Sequence, residues 1–128
     1  VSEAATKSAV LLALGARPGL RLFNNPVGQG WQGELLRHAG GTVMLGHARA
    51  VRYGLCPGSS DLVGWRSHTV TAADVGRALA VFTALEIKAP GGQHPVTPEQ
   101  RAFLDAVTAA GGIAGVARSP EDAAGIVG

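Results

Sequence analysis

Two acids and one lysine carry the chemistry this chain could perform. Asp61 ends a Gly/Ser turn, and 25 residues after it comes Glu86-Ile87-Lys88, set in an apolar run. In a strand, residues i and i+2 share a face, so Glu86 and Lys88 project together while Ile87 turns into the core. The flanking segment from Arg77 to Lys88 is apolar enough to form an interior strand, where an unpaired charge costs several kcal/mol. A hard divalent cation held by Asp61 and Glu86 would compensate the acid, because Mg2+ and Mn2+ take oxygen ligands and keep waters that can be activated. Lys88 would then orient or deprotonate the attacking water. That is the chemistry of a metal-dependent nuclease. The same residues also read as a Glu86–Lys88 ion pair at a sheet edge, with Asp61 serving only its turn. Nine acids and two lysines in 128 residues give about 0.14 acid-x-Lys matches by chance. The surrounding sequence therefore has to decide.

The elements that would position these residues can be followed along the chain. Ser2 to Leu14 reads as a helix with Ser2 as N-cap, Glu3 in the first turn and Gly15 as its end. Leu20 onward alternates and breaks at Asn24-Asn25-Pro26, as a strand entering a loop should. The Gly-rich stretch up to Gly40-Gly41 reads as a loop or a short helix around Glu34 to His38. Thr42 to Tyr53 suggests one or two antiparallel strands, Leu55 to Ser60 a turn delivering Asp61, and Leu62 to Arg66 a short strand. After a loop or helical turn at Thr71 to Gly76, the strand ending at Lys88 follows, and Ala89-Pro90-Gly91-Gly92 breaks it. Thr97-Pro98-Glu99-Gln100 opens the clearest helix, with a capping box and Pro at its first position. Ile113 to Ala117 is a short apolar strand, and Ser119-Pro120-Glu121-Asp122 caps a last helix. The expected architecture is α/β, a central mixed sheet flanked by helices in αβββαβ order. Trp31 and Trp65 are expected in its core, the alternative being an interface with a second copy.

Composition narrows the function classes. A chain of 128 residues is expected to form one domain, residues 1–128, with further binding surface supplied by a second copy. No apolar run approaches the ~20 residues of a membrane helix, and no signal peptide is visible. The single cysteine, Cys56, excludes an internal disulfide and fits a reducing cytosol. It sits in a turn-forming stretch and is a poor candidate nucleophile, and His38, His47, His68 and His94 lack metal-ligand spacing. Net charge is +2, yet nine of eleven basic residues are Arg, whose planar fork suits phosphate oxygens. A GC-rich genome produces the same excess, so this points only weakly to an anionic partner. Six aromatic residues offer no stacking platform for single strands, which argues against an RNA or nucleotide hydrolase.

The segments GSSDLVGW, ALEIKAP, TPEQRAFLDAV and AAGGIAGVARSPEDA, in this order, resemble a stand-alone VRR-NUC domain (virus-type replication and repair nuclease) over nearly the whole chain. This family is a branch of the PD-(D/E)xK nuclease superfamily, and the resemblance implies its restriction-endonuclease-like core. It implies Asp61 and Glu86 as metal ligands for Mg2+ or Mn2+, the Ile87 carbonyl as a further ligand, and Lys88 as the residue positioning the water. Glu3 matches the acid that the family adds from the first helix, and Gln100 the glutamine facing the site from the following helix. Both also have purely structural uses, at a helix N-terminus and in a capping box. Asn24, Asn25, Arg52, Ser59 and Ser60 match segments bordering the site and are assigned to DNA contact. Gly28, Tyr53 and Gly54 belong to the same segments. Ser60 stands where a Pro often precedes the acid, a departure that touches a turn residue and no ligand.

The activity implied is endonucleolytic hydrolysis of DNA, with structure selectivity for four-way junctions and flaps, by a homodimer serving replication or repair in the cytoplasm of a bacterial host, as a phage or prophage protein. The competing reading is a non-cleaving module that binds or recruits on the same fold.

Overall fold

The computed structural model describes residues 2–128. Its contacts fall into two units, one holding residues up to 21 together with 64–128, the other residues 22–63. Strands β1 (Leu20–Asn24) and β4 (Leu62–Arg66) pair as a two-stranded sheet.

In the first unit, α1 (Glu3–Leu14) begins where the sequence places it. The Ala5 N–H donates to Ser2 Oγ at 3.1 Å, and Glu3 lies in the first turn, where a negative charge suits the helix dipole. The centre of this unit is a crossover of β5 (Thr83–Ile87), α2 (Pro98–Ala109) and β6 (Ile113–Ala117). The two strands run parallel, in register from Thr83↔Ile113 to Ile87↔Ala117, because the intervening helix carries the chain back to the same end of the sheet. Leu104 and Val107 of α2 and Ala117 of β6 form the buried core. α3 (Pro120–Val127) packs on β6 over Gly115, where a Cβ would stand only 2.8 Å from Ile126 Cδ1. Trp65 joins the wall beside α2, tilted against Phe82 with ring centroids 4.9 Å apart and against Phe103 at 6.4 Å. Such aromatic pairs contribute roughly 0.5–1.5 kcal/mol beyond their buried area.

The segment leading to β5 is organised by one buried acid, Asp74, in a 3₁₀ turn (Ala72–Asp74). Its Oδ2 accepts the Thr71 N–H at 2.8 Å and meets His68 Nε2 at 2.9 Å, while Oδ1 pairs with Arg77. The Thr71 backbone N–H first, then His68 and Arg77, hold the carboxyl below the usual carboxylate range. A depressed carboxylate stabilises the fold above its unfolded-state value of about 4, and that contribution is lost as pH falls through the folded value. Urea titrations of the wild type and Asp74→Asn should therefore differ most above pH 4 and converge in more acidic solution. A gap that widened with acid would contradict this.

The second unit is dominated by a hairpin of β2 (Gly28–Ala39) and β3 (Thr42–Tyr53), paired antiparallel from Gly28↔Tyr53 to Ala39↔Thr42. Its two-residue turn is Gly40-Gly41, with φ of 58° and 75°, the positive angles a primed turn requires and glycine accepts without strain. Two bulges interrupt the register, between Gln32 and Glu34 and between Leu35 and Arg37. His47, opposite the first, has φ of 50°.

Five expectations are corrected. The strands form three two-stranded sheets, β1–β4, β2–β3 and β5–β6, in place of one central mixed sheet, and five strands precede α2 where the αβββαβ order has three. The stretch through Glu34 to His38 is a strand, not a loop or helix, because β3 pairs with it along its length. The strand expected from Arg77 to Lys88 is confined to Thr83–Ile87, since its partner β6 is itself five residues long. Ile87 does not enter the core but is 67 % exposed, because α3 packs on β6 and Ile87 ends the neighbouring strand. Trp31 is exposed as well, on the hairpin, whereas Trp65 is partly buried against Phe82. Among the described residues no helix is long and apolar enough to cross a membrane.

Candidate active site

The acid and the lysine of the Glu86-Ile87-Lys88 triplet do share a face. Lys88 Nζ lies 3.3 Å from Glu86 Oε1, and the two side chains are half-buried, 13 % and 27 % exposed. The strand places them: β5 ends at Ile87, and the Lys88 N–H still donates to the Ala117 carbonyl at 3.0 Å, which fixes the backbone on both sides of the pair. The following break is tied down by Arg118, whose guanidinium donates to the Ala89 carbonyl at 2.6 Å and to that of His94 at 3.4 Å.

Gln100 reaches this pair from α2. Its Oε1 accepts the Thr97 N–H at 2.9 Å and its own N–H donates to Thr97 Oγ1 at 3.1 Å, closing the capping box. Its Nε2 donates to Glu86 Oε1 at 2.7 Å. The side chain thus makes two contacts at once: its carbonyl end closes the cap and its NH2 end donates to Glu86. Thr97→Ala and Gln100→Ala should each cost about 1 kcal/mol of stability through the weakened cap. Were a divalent ion held at Glu86, only Gln100→Ala should also weaken its binding, as isothermal titration with Mn2+ would read; equal ion affinity in the two variants would leave Gln100 a cap alone.

Asp61 belongs to the second unit, at the exposed end of the loop that follows β3. That loop opens at Gly54, whose φ of 85° is left-handed and where a Cβ would stand 2.6 Å from the Pro26 carbonyl oxygen. Asn25 lies beneath the loop, 7 % exposed, with its amide spent on it: Nδ2 donates to Ser59 Oγ at 2.9 Å and to the Ser60 carbonyl at 2.8 Å, and Oδ1 accepts the Leu55 N–H at 3.1 Å. Of the residues assigned to DNA contact, Asn25 is therefore turned inward. Ser59 Oγ is engaged with it, while Asn24, Arg52 and Ser60 are exposed. The burial of Asn25 was not visible in sequence; the Asn-Asn-Pro break marked a turn and nothing more. Glu3 is exposed in the first turn of α1, in the same unit as Glu86.

The donors present suit a hard cation. Glu86 keeps one carboxylate oxygen, Oε2, without a hydrogen-bond partner among the described residues, and the Asp61 carboxylate is exposed. Among the described residues no three His, Cys, Asp or Glu side chains are gathered as a ready-made cage.

The sequence model of the VRR-NUC domain matches residues 32–121 of the chain. The chain belongs to the VRR-NUC family. Curated proteins and solved structures give no match. The VRR-NUC segment includes Asp61, Glu86, Lys88 and Gln100, along with Arg52, Ser59 and Ser60; Glu3, Asn24 and Asn25 precede it. Membership implies a nuclease-type, DNA-processing function with DNA as substrate.

Proposed function

We propose that this VRR-NUC chain is a Mg2+- or Mn2+-dependent DNA endonuclease. The observation that carries the reading is the half-buried cluster of Glu86, Lys88 and Gln100 within the family segment, where a lysine is held at 3.3 Å from an acid that a glutamine orients. Asp61, Glu86, the Ile87 carbonyl and Glu3 would hold the metal. When bound, it would supply charge to polarise the scissile phosphate and lower the pKa of a water. Lys88 orients the attacking water, whose oxygen bonds to phosphorus as the P–O3′ bond breaks; the proton the water gives up ends on the departing O3′, leaving a 5′-phosphate on one product and a 3′-hydroxyl on the other. Gln100 keeps Glu86 in one rotamer, and Arg52, Asn24 and Ser60 offer polar groups to the DNA backbone.

The substrate is branched DNA, met by a homodimer that sets two sites on two strands, in replication or repair of phage or prophage DNA in the bacterial cytoplasm. The hairpin supports the second copy: Trp31, Leu35, Leu36, Val43 and Met44 are all more than half exposed there, an apolar surface that water does not favour. Sedimentation giving a monomer at working concentration would remove the dimer. Cleavage of a labelled four-way junction and a matched linear duplex in Mg2+ or Mn2+, with EDTA and Glu86→Ala as controls, tests the rest. Glu86-dependent cutting confined to the junction supports the whole reading, and cutting of both substrates removes the selectivity. Tight binding with no cutting under either metal makes the chain a DNA-binding module.

A further inference from the structure

We propose that Asn25 is a positioning residue for Asp61, a buried clamp that sets the loop from Leu55 to Asp61 and so the place of the carboxylate. The inference rests on the reading of Asp61 as a metal ligand. Its support is the completeness of the bonding. A primary amide has two N–H donors and one oxygen acceptor, and Asn25 directs all of these groups to the loop, at Ser59 and Ser60 near the exit and at Leu55 at the entry. Its backbone N–H adds a fourth bond, to the Asp61 carbonyl oxygen at 2.8 Å. The loop is thus fixed at its first residue and at its last three from a single point. Ser59 extends the clamp, since its Oγ also accepts the Cys56 N–H at 3.4 Å.

The loop has no strand ladder of its own, and Asp61 is exposed. Its carboxylate therefore depends on the backbone beneath it for direction, and ligands displaced by more than about 0.5 Å lose their grip on a metal. An Asp at position 25 would preserve size and the acceptor for Leu55, while turning an oxygen toward the Ser60 carbonyl in place of a donor. The fault would be local to the exit of the loop, where Asp61 stands.

The test measures Mn2+ affinity by titration calorimetry together with the unfolding midpoint, for the wild type, Asn25→Asp, Ser59→Ala, Asp61→Asn and the double variant Asn25→Asp/Asp61→Asn. Asn25→Asp should weaken Mn2+ binding about 10–100-fold, the range for residues that orient ligands without touching the metal. Ser59→Ala should weaken it less, and adding Asn25→Asp to Asp61→Asn should cause no additional loss, because the route runs through Asp61. Wild-type affinity in a folded Asn25→Asp protein would overturn the proposal, as would a further loss in the Asp61→Asn background. If Asn25→Asp does not fold, Ser59→Ala decides: unchanged affinity overturns the clamp and reduced affinity supports it. Wild-type affinity in Asp61→Asn would instead sink the ligand reading on which the clamp depends.

Discussion

Replacing Lys88 by Met should reduce cleavage by about 10²–10⁴-fold, the range associated with one positioned proton-handling group, while the protein stays folded. Met preserves much of the aliphatic volume of a side chain that is only 13 % exposed and removes the ammonium 3.3 Å from Glu86. The loss of a partly screened ion pair costs about 1 kcal/mol, too little to unfold a domain of ordinary stability. Circular dichroism and an unfolding midpoint establish the fold, and turnover on a labelled junction reads the activity. Mn2+ binding should survive, because the proposed ligands are untouched. Full activity in the variant would dismiss Lys88 as the water-positioning group.

The second large effect is expected at Glu86. In Glu86→Gln the shape persists and the charge is lost, so Mn2+ should no longer stabilise the protein and cleavage should disappear with it. For the wild type, Mn2+ at 100 times its dissociation constant should add about 2.7 kcal/mol to unfolding stability, through binding to the native state alone. EDTA should reverse that increment. The alternative, in which Glu86 and Lys88 form only a structural ion pair, makes the opposite prediction: both single variants change stability slightly, and Mn2+ shifts the midpoint of neither variant nor wild type. Thermal scans with and without Mn2+ separate the two before any DNA is added.

Local chemistry was legible in the sequence wherever a few neighbouring residues settle it. The caps at Ser2, Thr97 and Ser119 form as their side chains dictate, because a hydroxyl and an N–H three residues on need nothing else. The shared face of Glu86 and Lys88 follows from the period of a strand. What depends on distant partners was not legible. The β2 strand contains glycines at 28, 30 and 33 and no apolar alternation, and its residues are largely exposed, so nothing in its own pattern separates it from a loop. Its only strong signal was Gly40-Gly41 between two runs of hairpin length. For Ile87, alternation fixed the face opposite Glu86, but whether that face is covered depends on where α3 packs. At Gln100 the capping box announced only a helix residue and the family resemblance alone turned it toward Glu86, because the direction of its NH2 group is set by the crossover that brings β5 beside α2.

That amide restricts the alphabet available at position 100. Glu would still accept the Thr97 N–H but would set a second carboxylate against Glu86; Asn carries both groups on a stem one methylene shorter; Lys keeps a donor and loses the acceptor. Glutamine alone meets a helix start with one end and an acid with the other, so the start of α2 and the orientation of Glu86 cannot drift apart at this residue. A substitution tolerated by either would be refused by the other.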